Sequence, residues 1–191
     1  WLLKLSCDPG DRLLVPRPSY PLLPFLAGLE AVDLVDYPLV REEAWRLDVR
    51  AVEGALQADE RIGAVVLVHP SNPCGALVWC EDARAVRVAA AKRGAALIVD
   101  EVFIDYPQTA PDPSRQPSFA CFGDEGGALC FTLSGLSKVA LAPQLKLAWV
   151  VVSGPEVEVR EALERLELVA DTYLSVTTAV QLAAAPILDA V

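Results

Sequence analysis

Four short runs carry almost no polar residue: GAVVLV at 63–68, AALIV at 95–99, ALCFTL at 128–133 and LAWVVV at 147–152. A strand with one wet face alternates apolar and polar residues. A strand covered on both faces reads as a continuous apolar run. Runs of this kind at wide spacing therefore call for a sheet with helices on both sides, and a mostly parallel one. Two further strands are expected at 11–16 (DRLLVP), after the turn signal Asp8-Pro9-Gly10, and within 29–39 (LEAVDLVDYPL). Between the strands lie helical patterns. At 46–58 apolar residues recur at Val49, Val52, Ala55 and Leu56. At 81–93 an Ala- and Arg-rich stretch is closed by Gly94, the residue that favours a helix C-terminus. Helices are also expected over 154–170 and, as a buried or interface helix, over 172–188. The Pro-rich segment 106–119 reads as a surface loop. The fold class is α/β, a mostly parallel sheet flanked by helices, in one domain with no internal repeat.

Composition narrows what such a domain contacts. Sixteen Lys and Arg against 26 Asp and Glu leave a net charge of −10 over 191 residues. That balance gives no electrostatic footprint for nucleic acid and no polybasic cluster for a membrane surface. No apolar run reaches the roughly 18 residues of a spanning helix. The five cysteines (Cys7, Cys74, Cys80, Cys121, Cys130) show no paired spacing, so they read as reduced, and His69 is the only histidine. No metal site is expected, and the reduced cysteines point to a cytoplasmic protein. The first residue is Trp1, no Met occurs, and the last residues continue an Ala/Leu-rich helical pattern. The expectation is an internal piece of a longer protein.

Ligands of α/β sheets bind beyond the carboxyl ends of the strands. Three such ends carry chemistry here: His69-Pro70-Ser71-Asn72-Pro73-Cys74-Gly75, Asp100-Glu101-Val102-Phe103, and Ser134-Gly135-Leu136-Ser137-Lys138. They bring an amide, a carboxylate and an amine to one sheet edge. In this order they resemble the class I/II aminotransferases of the fold-type I pyridoxal-phosphate enzymes. SNPCG (71–75) resembles the family's Asn-Pro-x-Gly motif, and IVDEVFIDY (98–106) its Asp-Glu-x-Tyr strand end. LSGLSKVALAPQLKLAWV (133–150) resembles its Ser-x-Ser-Lys segment with the Gly-Leu-Arg-x-Gly-Trp that follows. PGDRLLVPRPSYPLL (9–23) resembles its Pro-Gly-Asp strand and Pro-x-Tyr-Pro turn. The likeness runs from about residue 8 to residue 181.

The resemblance implies a cofactor, pyridoxal 5'-phosphate, and a division of roles. Lys138 would form the Schiff base and then move the α-proton, because a desolvated lysine amine is readily neutral. Asp100 would keep the cofactor's ring nitrogen protonated, which makes the ring an electron sink. Asn72 would donate to the phenolic oxygen, and Tyr20 would stack on the ring. Three positions depart from the family. Lys146 stands where an arginine usually holds the phosphate, and offers a point charge in place of a fork. Gly135 stands where a serine is usual, leaving Ser134 and Ser137 as the hydroxyl candidates. Phe103 stands where a tyrosine is usual and has no hydroxyl to give.

The implied reaction moves an amino group between an amino acid and a 2-oxo acid. Alternatives on the same fold are a lyase or decarboxylase, or the aminotransferase-like domain of a transcription regulator. Residues 1–191 would then be part of the family's large domain. The Gly-rich phosphate turn and the carboxylate-gripping arginine would lie outside it, and the full-length protein would be a homodimer.

Overall fold

The computed structural model describes residues 1–106, 110, 112–121 and 127–191. The apolar runs become the centre of a seven-stranded sheet. Its strands are β1 (Arg12–Arg17), β2 (Asp33–Val40), β3 (Arg46–Leu47), β4 (Ile62–Val68), β5 (Ala96–Asp100), β6 (Cys130–Gly135) and β7 (Ala148–Ser153). Their spatial order is β3-β2-β1-β4-β5-β6-β7. The five inner strands β2, β1, β4, β5 and β6 are mutually parallel. Both edge strands, β3 and β7, are antiparallel to their neighbours.

Strand β4 shows why a continuous apolar run was needed. Val65 and Leu67 face one core, together with Val52 and Leu56 of α3 (Val49–Ala58) and Val86 and Ala90 of α4 (Cys80–Arg93). Ala64, Val66 and Val68 face a second core. That core includes Leu2 of α1 (Leu2–Ser6), Ala27 of α2 (Leu23–Leu29) and Ala162 of α6 (Glu156–Asp171). Successive side chains on a strand point to opposite faces, so both faces of β4 must be apolar.

Helix ends follow the local chemistry. Gly94 closes α4 in the left-handed region at φ 75°, with Glu81 and Asp82 in the first turn and Lys92 and Arg93 in the last. The helix expected over 46–58 begins at Val49. The Asp48 side chain accepts from the Ala51 N–H at 3.0 Å and caps it. Arg46–Leu47, ahead of the cap, pairs with Leu39 and Val40.

Several expectations are corrected. The stretch ahead of β2 contains helix α2, whose Pro24 lies in the first turn, where a missing N–H costs nothing. The helix expected over 172–188 is α7 (Thr178–Leu188), and none of its residues is buried. The loop over 106–119 lies at the surface along much of its described length, as expected, but Gln116 and Phe119 turn inward: Gln116 is buried and Phe119 is 0 % exposed. Positions 107–109 and 111 of that loop lie outside the described residues. Among the described residues, no helix is long and apolar enough to cross a membrane.

Candidate active site

Strands β1, β4, β5 and β6 run the same way, so their carboxyl ends open on one edge. Asp100 is the last residue of β5, and is paired with Val68 of β4 and Leu133 of β6. Burial raises the Asp100 carboxyl above the usual carboxylate range. The Val102 N–H, which donates to its Oδ1 at 3.1 Å, and the charge of Lys138 oppose that rise. Asp100 and Lys138 thus lie close enough to feel each other's charge.

Lys138 lies on α5 (Leu136–Val139), a single turn that continues directly from β6. It is half-buried, and its Nζ stands 5.2 Å from the centre of the Phe103 ring. Phe103 meets Tyr106 edge-on, with centroids 6.1 Å apart. The Tyr106 hydroxyl donates to the backbone carbonyl of Lys138. The turn after β5 therefore grips the lysine segment from the side: an aromatic ring lies beside the amine and a hydroxyl holds its backbone.

Asn72 lies in the loop after β4 and is half-buried. Ser71 closes that loop. Its N–H donates to the Ala76 carbonyl (2.8 Å), its carbonyl accepts from Gly75 N–H (2.6 Å), and its hydroxyl accepts from Ala76 N–H (3.0 Å). Tyr20 follows β1, two strands from Asp100 at the same edge, and is over a third exposed. Ser134 and Ser137 are half-buried on either side of Gly135. Lys146 is exposed, in the left-handed region at φ 54°, two residues before Ala148, which pairs with Gly135. A Cβ at Gly135 would stand 2.9 Å from the Leu147 carbonyl oxygen and 3.0 Å from the Ala148 Cα. Glycine at this position is required by the close approach of β7.

Two buried groups that sequence reasoning passed over complete the edge. Glu101 points away from Asp100: its carboxylate accepts from Ser118 Oγ and from Phe119 N–H, both at 2.7 Å. Burial raises its pKa as well. His69 is 0 % exposed and bonds to Val78 and Gln116. Neither role has a local signal, since the partners lie up to 47 residues away.

The family model for aminotransferase class I and II matches residues 2–191. The chain belongs to this family. It is 29% identical to nicotianamine aminotransferase 1 of Oryza sativa subsp. japonica over 93% of its own length and 34% of that protein's. It is also 29% identical to the S-alkyl-thiohydroximate lyase SUR1 of Arabidopsis thaliana, over 95% of this chain and 38% of the lyase. Among solved structures, the alanine aminotransferase from Pyrococcus furiosus superposes with a TM-score of 0.71 at 28% identity. That match covers 88% of this chain and 42% of the other. The chain thus spans roughly a third to two-fifths of the curated relatives it matches. Enzymes of this family use pyridoxal 5'-phosphate.

The residues present fit that cofactor. A half-buried carboxylate and an amine stand at the ends of adjoining strands, the groups that a protonated ring nitrogen and an aldehyde would need.

Proposed function

We propose that residues 1–191 are the cofactor-holding part of the large domain of a pyridoxal-phosphate-dependent aminotransferase, acting on an amino acid and a 2-oxo acid. The observation that carries this reading is that Asp100 and Lys138 stand at the carboxyl ends of the adjoining parallel strands β5 and β6. One is a carboxylate desolvated by burial, the other an amine on the next strand's end, and each lies within reach of the other's charge. When bound, the cofactor supplies an electron sink for charge developing at the substrate's α-carbon.

The chain's own residues do the rest. Lys138 Nζ anchors the cofactor and, once freed by substrate, takes and returns the α-proton. Its Nζ stands over the Phe103 ring, and Tyr106 holds its backbone. Asp100 holds a proton on the ring nitrogen: an anionic partner favours the protonated ring, and low dielectric strengthens that pairing. Asn72 donates to the phenolic oxygen, Tyr20 covers the ring, and Lys146 with Ser134 and Ser137 receives the phosphate. The unpaired cysteines support a reducing, cytoplasmic setting. The full-length protein is proposed to work as a homodimer.

Treating the chain with pyridoxal 5'-phosphate and borohydride tests the reading. A stable mass increase is expected on the peptide containing Lys138, and none in Lys138→Ala. A label that persists in Lys138→Ala refutes the assignment. The likeness to a lyase keeps a second reaction in view. Supplied with an amino acid but no oxo acid, an aminotransferase stops after one equivalent per site, whereas a lyase keeps turning over.

A further inference from the structure

His69 follows β4 directly and precedes Asn72 by three residues. Its backbone N–H donates to the Asp100 carbonyl at 2.8 Å. Its ring Nδ1 accepts from the Val78 N–H at 3.1 Å, and its Nε2 stands 2.8 Å from the Gln116 carbonyl. A backbone N–H only donates and a carbonyl only accepts. The ring is therefore neutral, with its proton on Nε2. Both nitrogens are committed in a site closed to water, which leaves no lone pair or proton for a reacting group.

The two bonds reach different segments. Val78 ends the loop that carries Asn72. Gln116 belongs to a strap, residues 112–119, that crosses the same edge. The strap is pinned further at both ends. Arg115 stacks on Trp79, 3.8 Å from the ring centre, and its Nη1 donates to the Leu77 carbonyl at 3.0 Å. Trp79 also receives Arg46, 5.0 Å from its ring centre, which is held by a two-point bond to the buried Asp82. At the other end Ser118 and Phe119 bond Glu101, the neighbour of Asp100. Phe119 also meets the imidazole edge-on, with centroids 5.4 Å apart. One imidazole thus ties the Asn72 loop to the strap, and the strap is tied to the strand end that bears Asp100.

We infer that His69 is a positioning residue that fixes the Asn72 loop relative to Asp100 through paired bonds to Val78 and Gln116. Its purpose rests on the reading of Asn72 and Asp100 as partners of one cofactor ring, because a donor aimed at a ring oxygen works only if its loop is held to within about 0.5 Å.

Three substitutions separate the two bonds. His69→Asn retains an acceptor for Val78, His69→Gln retains a donor for Gln116, and His69→Phe retains only the ring shape. Amide exchange is followed in the chain without cofactor. In His69→Phe, exchange at Val78, whose N–H loses its acceptor, is expected to accelerate roughly tenfold. Exchange at Phe119, whose N–H stays on Glu101, is expected to accelerate by less, through the strap freed at the Gln116 carbonyl, with β1 and α3 unchanged. His69→Asn spares Val78, and His69→Gln spares Phe119. Uniform acceleration across the sheet, or no acceleration at these amides, overturns the inference. With cofactor bound, the pH midpoint of its visible absorption is expected to rise in both Asn72→Ala and His69→Phe. The double variant should move no further than Asn72→Ala alone; additive shifts overturn the link to Asn72. The functional reading fails separately, through a wild-type chain that borohydride cannot label.

Discussion

Around Asp100 and Asn72 the sheet edge is braced by buried polar groups: His69, Glu101 and Gln116 bond one another's segments, and Phe119 fills the space between. Around Lys138 and Lys146 the covering is thin. Strand β7 leaves Val150 and Val151 38 % and 40 % exposed, and Lys138 is steadied by Phe103 and the Tyr106 hydroxyl. The difference fits the work proposed for each side. A carboxylate and an amide that only hold a ring in place gain from a dry, cross-linked setting. A lysine that must leave and return needs room to change its rotamer. The contrast also separates stability from chemistry: losing a filled space on the braced side is expected to cost more stability than changing the open side.

Substitutions test that contrast in order of size. Phe119→Ala removes a fully buried ring from the braced side and is expected to cost ~3–5 kcal/mol, read from urea unfolding. A cost below about 1 kcal/mol would show that the strap does not support the edge.

Acid acts on the same side. Burial pushes His69 down to about 4 from 6.5. The unfolded chain therefore binds a proton more readily, and stability falls as pH drops from about 6.5 toward 4. The loss is on the order of 3 kcal/mol at about 1.4 kcal/mol per unit. Asp100 and Glu101, both raised by burial, have the opposite sign: they offset part of the decline as pH falls through values above the usual carboxylate range. Urea midpoints between pH 7 and 4.5 should decline in the wild type and lose most of that slope in His69→Phe. A midpoint with the same slope in the wild type and in His69→Phe contradicts a buried, neutral His69 ring.

Gly135→Ser restores the side chain usual in the family but drives a Cβ toward the Leu147 carbonyl. A loss of about 1–3 kcal/mol is expected, from strain at the β6–β7 contact. An unchanged stability would mean that β7 can shift at no cost. At the open end, Leu182→Gln on α7, where Leu182 is 76 % exposed, should move stability by no more than about 0.5 kcal/mol. A larger loss would reveal packing on that face.

Much of the frame is legible in the residues. The uninterrupted apolar runs became β4 to β7 within about two positions at each end. For β4, β5 and the first half of β6 burial leaves no polar residue to blur the boundary, whereas the run of β7 is partly exposed at the sheet edge. Gly94 marked a helix end for the same local reason. Asn72, Asp100 and Lys138 were placed at one edge because parallel strands carry their carboxyl ends together. What stayed hidden depended on distant partners or weak periodicity. Helix α2 carries Leu, Phe and Pro around most of its circumference, with no polar stripe to give it away. Leu47 and Arg46 form a strand only because β2 lies beside them. Prolines made 106–119 look exposed, yet Gln116 and Phe119 are drawn in by His69 and Glu101.

In the function proposed here, the half-buried Asp100 and the strand-end amine of Lys138 address one ring from opposite sides. Nitrogen-15 magnetic resonance of the chain loaded with ring-labelled pyridoxal 5'-phosphate reads this at the atom concerned. The prediction is a protonated ring nitrogen at neutral pH in the wild type and an unprotonated one in Asp100→Ala, with Lys138 still labelled by borohydride in both. A ring nitrogen whose protonation is the same with and without the Asp100 carboxylate would contradict the account.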